Sequence, residues 1–436
     1  MWNSRVVVVG TTADYIHILR RQHPGRAVFL TDRAERERAV EPDPDPVEET
    51  LCDLADPADA RGALDAHLRQ WGVRPSGVAC FDDESLALAS TLADGLHLPF
   101  VSPEAVAACR SKFACKQRWR QAGVPCPRVA LVASEDQAVA FARDQGGPVV
   151  LKPLSGSGSE LTFFCRNQAE CASAFRILLA RLREHPDVRL YAPQPGDETP
   201  LDPRRVFVAE EHVAGVEYSC DFLIAHGDVA VLRLAGKVLD GTQSFGTTLA
   251  YVVPAELPGA LDPKAFARQL RRAAQALAVT RSICMVDFIV RGAEAVLIEM
   301  APRPGGDCLP PLLMHGAGFD ILGAALDFAE GRAVRAPKPS AWQRTVGLRI
   351  FSSRAGTITS LDADELRNDP SVRECHLKHG PGHRVLMPPE DYDSRLLGHV
   401  IFQPAPGDDV EAMCRELCAR VDIRMEPSPC PTPTSF

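Results

Sequence analysis

The sequence predicts a chain of mixed class, α/β over about its first hundred residues and α+β beyond them. Three observations lead to this prediction. Apolar strand runs alternate with helical stretches near the N-terminus, which indicates a mainly parallel sheet. Residues 283–306 have the pattern of a hairpin that turns at Gly292. Several short strand runs follow residue 345, which predicts a β-rich C-terminal part.

The alternation near the N-terminus indicates a doubly wound parallel sheet. A dinucleotide-binding fingerprint would need three glycines after the first strand, whereas only Gly10 is present, so NAD binding is not favoured. The predicted strands are residues 6–9, 27–31 and 77–81, and the predicted helices are residues 15–21, 58–71 and 84–94.

Two lysines mark the next helix, which is predicted to run from Pro103 to a proline-marked end at residues 123–127. Lys112 and Lys116 are four residues apart, so they share one helix face. Seen in isolation, such a pair is more typical of a solvated helix surface than of a binding site.

A glycine- and serine-rich loop follows a predicted compact α+β unit with strands at 129–133 and 149–151. Lys152 ends the second strand. Glycine and serine expose N–H and hydroxyl groups that can bind phosphate oxygens, and the lysine adds a positive charge. The loop lacks the Walker pattern, and a flexible hairpin tip is the alternative interpretation. Its residues are Ser155, Gly156, Ser157, Gly158, Ser159 and Glu160.

An acidic strand end lies at residues 206–219. An apolar strand ends at Glu210 and Glu211, the chain turns at Gly215, and a second strand is predicted over 218–224. Such a crossover can present main-chain groups to a heterocycle while Glu217 accepts from a sugar hydroxyl. Charged residues at an ordinary hairpin end are the alternative.

The hairpin at 283–306 places two acids together if its turn contains three residues, 292–294. Asp287 then lies opposite Glu299. Adjacent like charges are destabilising unless a cation lies between them, and Mg²⁺ prefers such oxygen ligands. The alternative is a solvated hairpin whose acids face water. In this register the opposite, core-facing side carries Val286, Phe288, Val290, Val296, Ile298 and Met300.

Composition limits the function classes. The 436 residues suffice for about three domains, with 45% hydrophobic and 24% charged residues. A net charge of −9 argues against a nucleic-acid-binding surface. No run of eighteen apolar residues and no signal peptide is recognisable, so we expect a cytoplasmic protein that binds no membrane. The 14 cysteines are scattered and are expected to be reduced.

In this order, the motifs resemble those of the ATP-grasp ligases from about residue 1 to about residue 335. The run Glu-Glu-x-Val-x-Gly-x-Glu at 210–217 and the paired acids before Arg303-x-Gly-Gly are part of this resemblance. It implies an ATP-grasp fold with five segments. These are an N-terminal doubly wound parallel-sheet domain (1–110), a mobile lid subdomain (111–205), an antiparallel-sheet catalytic domain (206–335), a C-terminal β-rich domain (336–426) and a disordered tail (427–436).

The resemblance also implies residue roles, with ATP and Mg²⁺, or Mn²⁺, as cofactors. Lys112 and Lys152 would hold phosphates, and loop 155–160 would close over them. Arg303 would steady the transferred phosphate or the acyl phosphate and act with Lys152 in catalysis. Ala301 stands where family members often carry a metal-binding asparagine. The adenine and ribose would contact Glu210, Glu211, Val213 and Glu217, and the metal would bind Asp287 and Glu299.

Residues 251–257, 303–307 and 318–320 resemble the L-amino acid ligase and carnosine synthase branch. Two departures are Met285, where members commonly carry histidine, and the stretch 245–251. The resemblance implies an ATP-dependent carboxylate–amine ligase that works through an acyl phosphate on an amino acid or related small carboxylic acid. It is compatible with a homodimer. The alternatives are a carboxylase-type enzyme that activates bicarbonate and a non-catalytic nucleotide sensor or partner subunit.

Two further groups are interpreted as structural. Cys375, His376, His379 and His383 include zinc-ligand types, but their spacing fits no standard finger, which favours a surface turn. His315 lies near two glycines, where a hydrogen-bonded structural role is favoured over substrate contact.

Overall fold

The computed structural model describes residues 3–196, 199–259 and 261–426. The predicted disordered tail, 427–436, lies outside the described residues. Within the described ranges, no single helix is long and apolar enough to cross a membrane. Helices 309–317 and 321–329 pass that length and composition test only as a pair, and they are bent by 102°.

The N-terminal unit is a four-stranded parallel sheet in the order β3–β2–β1–β4. Val7 and Val9 pack with α3 and α4, whereas Val6 and Val8 pack with α1, so helices cover both faces and the doubly wound prediction is confirmed. Strand β3 was not predicted, because prolines precede it. The elements are β1 (Asn3–Val9), α1 (Ala13–Gln22), β2 (Ala27–Asp32), α2 (Arg33–Arg38), β3 (Glu49–Cys52), α3 (Pro57–Trp71), β4 (Val73–Ala79) and α4 (Leu86–Gly95).

The helix predicted from Pro103 onward is in fact two helices, α5 (Pro103–Arg110) and α6 (Lys112–Gln121). Ser111 separates them and caps α6, because its hydroxyl accepts from the amide of Ala114. The amide of Lys112 donates to the carbonyl of Leu154, which brings α6 beside the glycine-rich loop.

A second, antiparallel sheet has the order β5–β8–β6–β7. Strand β8 pairs with both β5 and β6, so it belongs to the sheet of the expected lid and not to the segment expected to begin at 206. The elements are β5 (Val129–Val132), α7 (Glu135–Gln145), β6 (Val149–Pro153), β7 (Phe163–Cys165), α8 (Gln168–Arg183) and β8 (Phe207–Glu211).

The largest sheet has eight antiparallel strands in the order β13–β12–β9–β10–β11–β14–β18–β16. Its first five members are strands of the expected catalytic segment, which also contains helices α9 to α11. These elements are β9 (Val216–Ala225), β10 (Asp228–Leu239), β11 (Thr248–Val253), α9 (Pro263–Ala276), β12 (Ser282–Arg291), β13 (Glu294–Ala301), α10 (Leu309–Ala317) and α11 (Ile321–Ala329).

The C-terminal strands continue the same sheet across the expected boundary at 336, because β14 pairs with β11. A separate three-stranded sheet has the order β17–β15–β19. After a short 3-10 helix (Pro339–Ala341), the elements are β14 (Thr345–Phe351), β15 (Gly356–Asp362), α12 (Asp364–Arg367), β16 (Val372–Leu377), β17 (Arg384–Val385), β18 (Leu396–Phe402), α13 (Val410–Ala419) and β19 (Asp422–Glu426).

Candidate active site

The β12–β13 hairpin has a two-residue turn, not the predicted three-residue turn. Arg291 pairs with Glu294, so only Gly292 and Ala293 connect the strands. Gly292 has a φ of +62°, which glycine adopts at little cost and which suits the first central position of a type II′ turn.

A β-bulge nevertheless places the two acids opposite each other. Phe288 pairs with Leu297 but Asp287 pairs with Glu299, so Ile298 is an extra residue on β13. Without it, Asp287 would face Ile298, and Glu299 would point towards the core. The predicted pairing of the acids is therefore present, although the geometry predicted to produce it is wrong.

The bulge also changes which β13 residues face the core. Ala295 and Leu297 join the cluster that contains Val286, Phe288, Val290 and Met300. The predicted core position of Ile298 is wrong, because this residue is half-buried and lines two cavities. Val296 is buried but lies outside that cluster.

Four lysines surround the acid pair. Lys112 Nζ lies 3.3 Å from Glu299 Oε2, and Lys237 Nζ lies 2.7 Å from Asp287 Oδ2. Burial raises the pKa of Glu299, but the lysines outweigh burial and hold this pKa at about 2. Glu299 is therefore ionised near neutral pH. The lysines that lower the pKa of Glu299 are, in order of decreasing effect, Lys112, Lys152, Lys116 and Lys237.

The acid pair is suited to a hard cation. Asp287 Oδ1 is buried, and no donor reaches it from the part of the chain that the structure describes. A buried carboxylate oxygen ordinarily has a partner, and Mg²⁺ takes such oxygens. Asp287 and Glu299 would thus hold Mg²⁺ or Mn²⁺.

The spacing of Lys112 and Lys116 is more typical of a solvated helix face. Lys116 is instead buried. Its ammonium lies 2.7 Å from Glu210 Oε1, while the other oxygen of Glu210 lies 2.9 Å from Lys152. Burial raises the pKa of Glu210, yet the two lysines outweigh it and the net direction is down. Burial lowers the pKa of Lys152, and the neighbouring ammonium groups of Lys116 and Lys112 lower it further. The carboxylate of Glu210 raises this pKa but does not outweigh them.

The glycine-rich loop is tied down at three points. Ser155 Oγ donates to the carbonyl of Leu190 at 2.8 Å, and Ser159 Oγ donates to the carbonyl of Gly246 at 2.9 Å. Lys112 Nζ donates to the carbonyl of Gly156 at 2.7 Å. Gly158 adopts a φ of +62°, which glycine tolerates, and with Ser157 it lines the wall of the larger cavity.

The expected hinge residues line one side of a cavity. Val213 is 5% exposed, and within the described ranges its main chain has no hydrogen-bond partner. Glu211 accepts from Arg291 and from the amide of Arg128, both at 3.2 Å. Burial raises the pKa of Glu217, whose carboxylate lies 3.9 Å from the Lys237 ammonium. By contrast, the carboxylate of Glu210 is occupied by the two lysines.

Arg303 is engaged with the N-terminal unit. Its Nε donates to Asp83 Oδ1 at 3.0 Å, and its Nη2 contacts the other oxygen. Burial lowers the pKa of Arg303, but Asp83 outweighs burial and the net direction is up. A second such pair, which sequence reasoning missed, joins Arg349 on β14 to Asp307 at 2.5 Å.

Two cavities of about 120 and 220 Å³ meet at the acid pair. The smaller is lined by Val150, Lys152 and the expected hinge residues Glu210, Glu211, Val213 and Glu217. The larger is lined by both arginine–carboxylate pairs and by Tyr251 and Met285. Shared by both are Lys112, Gly156, Ser157, Ser159, Lys237, Gly246, Asp287, Ile298 and Glu299.

Lys237 was also missed, although the sequence contained a signal. It lies in the apolar run 229–239 together with Arg233, which is fully buried and paired with Asp221 at 2.7 Å. A charge inside an apolar strand predicts a buried partner. The partner itself, Asp287, is fifty residues away and could not be assigned from the pattern.

The histidine groups have local partners. Glu374 accepts from His315 at 3.0 Å and from His399 at 3.2 Å. His379 and His383 stack with ring centroids 3.6 Å apart. Over the described ranges, no three or more His, Cys, Asp or Glu side chains are grouped so that they could hold a metal ion.

Comparison with known proteins identifies two domains. Residues 145–311 match the ATP-grasp domain, and residues 349–426 match the L-amino acid ligase C-terminal domain 2. A D-alanine–D-alanine ligase of Aromatoleum aromaticum is 25% identical over 244 residues, which cover 54% of this chain and 71% of that protein. Carnosine synthase 1 of Gallus gallus is 25% identical over 300 residues, which cover 66% and 31% of the two chains.

The structural comparison agrees. The crystal structure of an L-amino acid ligase from Bacillus licheniformis superposes with a TM-score of 0.75 at 17% identity, over 97% of this chain and 99% of that one. The chain therefore contains an ATP-grasp domain and an L-amino acid ligase C-terminal domain, and its homologues support an enzyme of the carbon–nitrogen ligase class. The matched C-terminal domain and these homologues include the L-amino acid ligase and carnosine synthase branch, as the sequence resemblance predicted.

Proposed function

We propose that the protein is an ATP-dependent carboxylate–amine ligase that forms an amide bond through an acyl phosphate. A substrate carboxylate attacks the γ-phosphate to give the acyl phosphate and ADP. An amine then attacks the acyl carbon, and phosphate leaves. The observation that supports this most directly is that the two cavities meet at Asp287 and Glu299. Such a junction suits transfer from a nucleotide in one cavity to a carboxylate in the other.

The residues around the junction would neutralise charge on the phosphates. Lys112 lies on the wall that both cavities share and Lys152 lines the smaller cavity, while Asp287 and Glu299 would hold Mg²⁺. When bound, Mg²⁺ supplies charge neutralisation and orientation to the phosphate oxygens. Phosphoryl transfer depends mainly on positioning and charge, so a protein nucleophile is not required.

Loop 155–160 would keep water from the acyl phosphate. Through Ser159 it already contacts Gly246, which lines both cavities. A closed loop excludes water, which would otherwise hydrolyse a reactive acyl phosphate.

The larger cavity supports an amino acid or a related small carboxylic acid as substrate. Its wall carries two arginine–carboxylate pairs, Arg303 with Asp83 and Arg349 with Asp307. A zwitterion can interact with both members of such a pair, since the arginine accommodates its carboxylate and the acid its ammonium. Met285 and Tyr251 add apolar surface for a side chain.

Phosphate release with a panel of amino acids, amines and bicarbonate tests this function. The ligase predicts release that requires both a carboxylate and an amine and yields a product with an amide bond by mass spectrometry. Release with bicarbonate alone would indicate the carboxylase alternative. Nucleotide binding without release for any pair would favour the sensor.

The lid should become less mobile when nucleotide binds. Its sheet, β5–β8–β6–β7, shares no strand with the eight-stranded sheet, so contacts such as Glu211–Arg291 and Ser159–Gly246 join the two, and a nucleotide bound between them would add to these contacts. Hydrogen exchange over residues 125–205 should therefore slow when a non-hydrolysable ATP analogue is added, while the segment 3–9 should not change. Equal exchange in the lid with and without nucleotide would contradict this expectation.

A further inference from the structure

The outer edge of the β12–β13 hairpin is held by groups from outside the sheet. Strand β13 is an edge strand, and the outward main-chain groups of such a strand otherwise face solvent. Three contacts engage them here. The Leu297 amide donates to the Pro125 carbonyl at 2.9 Å, the Ala295 carbonyl accepts from Gln269 at 2.7 Å, and the Ile298 carbonyl accepts from Lys116 Nζ at 2.7 Å.

The contact from Lys116 falls on the bulged residue itself. Lys116 is fully buried, and burial of an ammonium requires compensation. That compensation comes from the Ile298 carbonyl and from the carboxylate of Glu210, which is 3% exposed. Burial lowers the pKa of Lys116, whereas the nearby carboxylate of Glu210 raises it and contributes most to the opposite effect. The pKa is raised overall, so the side chain is charged.

The same ammonium therefore joins three parts of the fold. Lys116 belongs to α6, Ile298 to the eight-stranded sheet, and Glu210 to the sheet of the lid, where it also contacts Lys152. Each contact is short and buried, so the position of Ile298 cannot change without the loss of a charged hydrogen bond.

We infer that Lys116 is a positioning residue for the metal-binding carboxylates: it holds the bulge at Ile298 and so keeps Glu299 on the same face as Asp287. The inference rests on the proposed function, because it takes these two acids as metal ligands. Loss of the bulge would turn Glu299 away from Asp287 by one residue of register. Lys116 itself touches neither acid.

The test separates the contact to Ile298 from the contact to Glu210. We compare wild type, Glu210→Gln, and the double variant Lys116→Met with Glu210→Gln, in which opposite charges are removed together. One readout is hydrogen exchange of residues 295–301 without metal or nucleotide. The other is Mn²⁺ affinity in the presence of ADP, measured by electron paramagnetic resonance.

We expect the double variant to bind Mn²⁺ about tenfold more weakly than Glu210→Gln and to exchange faster over 295–301, as is usual when a residue that orients a metal ligand is lost. Equal values in these two variants would overturn the inference, since Lys116 would then act only through Glu210. Circular dichroism establishes that each variant is folded.

A second variant covers the case in which Lys116→Met does not fold. Lys116→Arg keeps the charge but presents a planar guanidinium that cannot reproduce both contacts. It should weaken Mn²⁺ binding at least about threefold, and wild-type affinity would also overturn the inference. Asp287→Asn distinguishes failure of the proposed function, because unchanged Mn²⁺ affinity in that variant would remove the metal site itself.

Discussion

Glu299→Gln should abolish ADP formation while leaving the fold and much of the nucleotide binding in place. The substitution preserves shape but removes a carboxylate charge that lies 3.3 Å from Lys112 and opposite Asp287. We expect a loss of at least about 10²–10³-fold in kcat, as for other groups that stabilise charge in the transition state. ADP formation is measured with a coupled assay, and folding by circular dichroism.

Glu294→Gln is the matched control for that experiment. It makes the same substitution on the same strand, at a side chain that is 48% exposed and paired with Arg291 near the turn. It should keep full turnover, since surface pairs contribute little. Near-normal turnover in Glu299→Gln would refute the metal assignment. Loss of turnover with retained folding would count against a non-catalytic sensor.

Lys152→Ala should weaken ATP binding strongly. Lys152 is buried at the base of the glycine-rich loop and lines the smaller cavity. Its loss would remove the proposed phosphate contact and leave Glu210 with one partner, Lys116. Hydrogen bonds to charged groups contribute about 1.5–3 kcal/mol, so affinity should fall about 10- to 100-fold by calorimetry.

Lys264→Ala provides the comparison, because Lys264 is exposed at the start of α9 and is remote from both cavities. It should bind ATP as the wild type does. Unchanged affinity in Lys152→Ala would remove the loop from the nucleotide site. A loss that appears equally in both variants would point to a general charge effect.

The hairpin shows both the reach and the limit of sequence reasoning. Its existence, its turn at Gly292 and the pairing of Asp287 with Glu299 were all predicted. The bulge was not, because Ile298 has the same pattern as any apolar strand residue. A one-residue insertion is set by contacts from outside the strand, and the relevant donor, Lys116, lies 182 residues away.

Burial of charge was equally hidden. The Lys112–Lys116 spacing predicted a shared, solvated helix face, but the buried acid that makes burial of Lys116 tolerable is Glu210. Pairing of this kind depends on tertiary structure, which local patterns do not encode. Several short strands after residue 345 were predicted and are present, whereas the pairing of β14 with β11 was not predicted.

That pairing limits how the protein can be divided or recombined. A fragment ending at residue 335 would lack β14 and leave the outer main chain of β11 unpaired, next to Leu249 and Ala250, which pack in one cluster with β14 and β18. An exposed apolar edge of this kind favours self-association. A chimaera that exchanges the C-terminal part for that of a relative must therefore supply a strand that fits β11, and an exchange point placed after Phe402 instead would separate β19 from its partner β15.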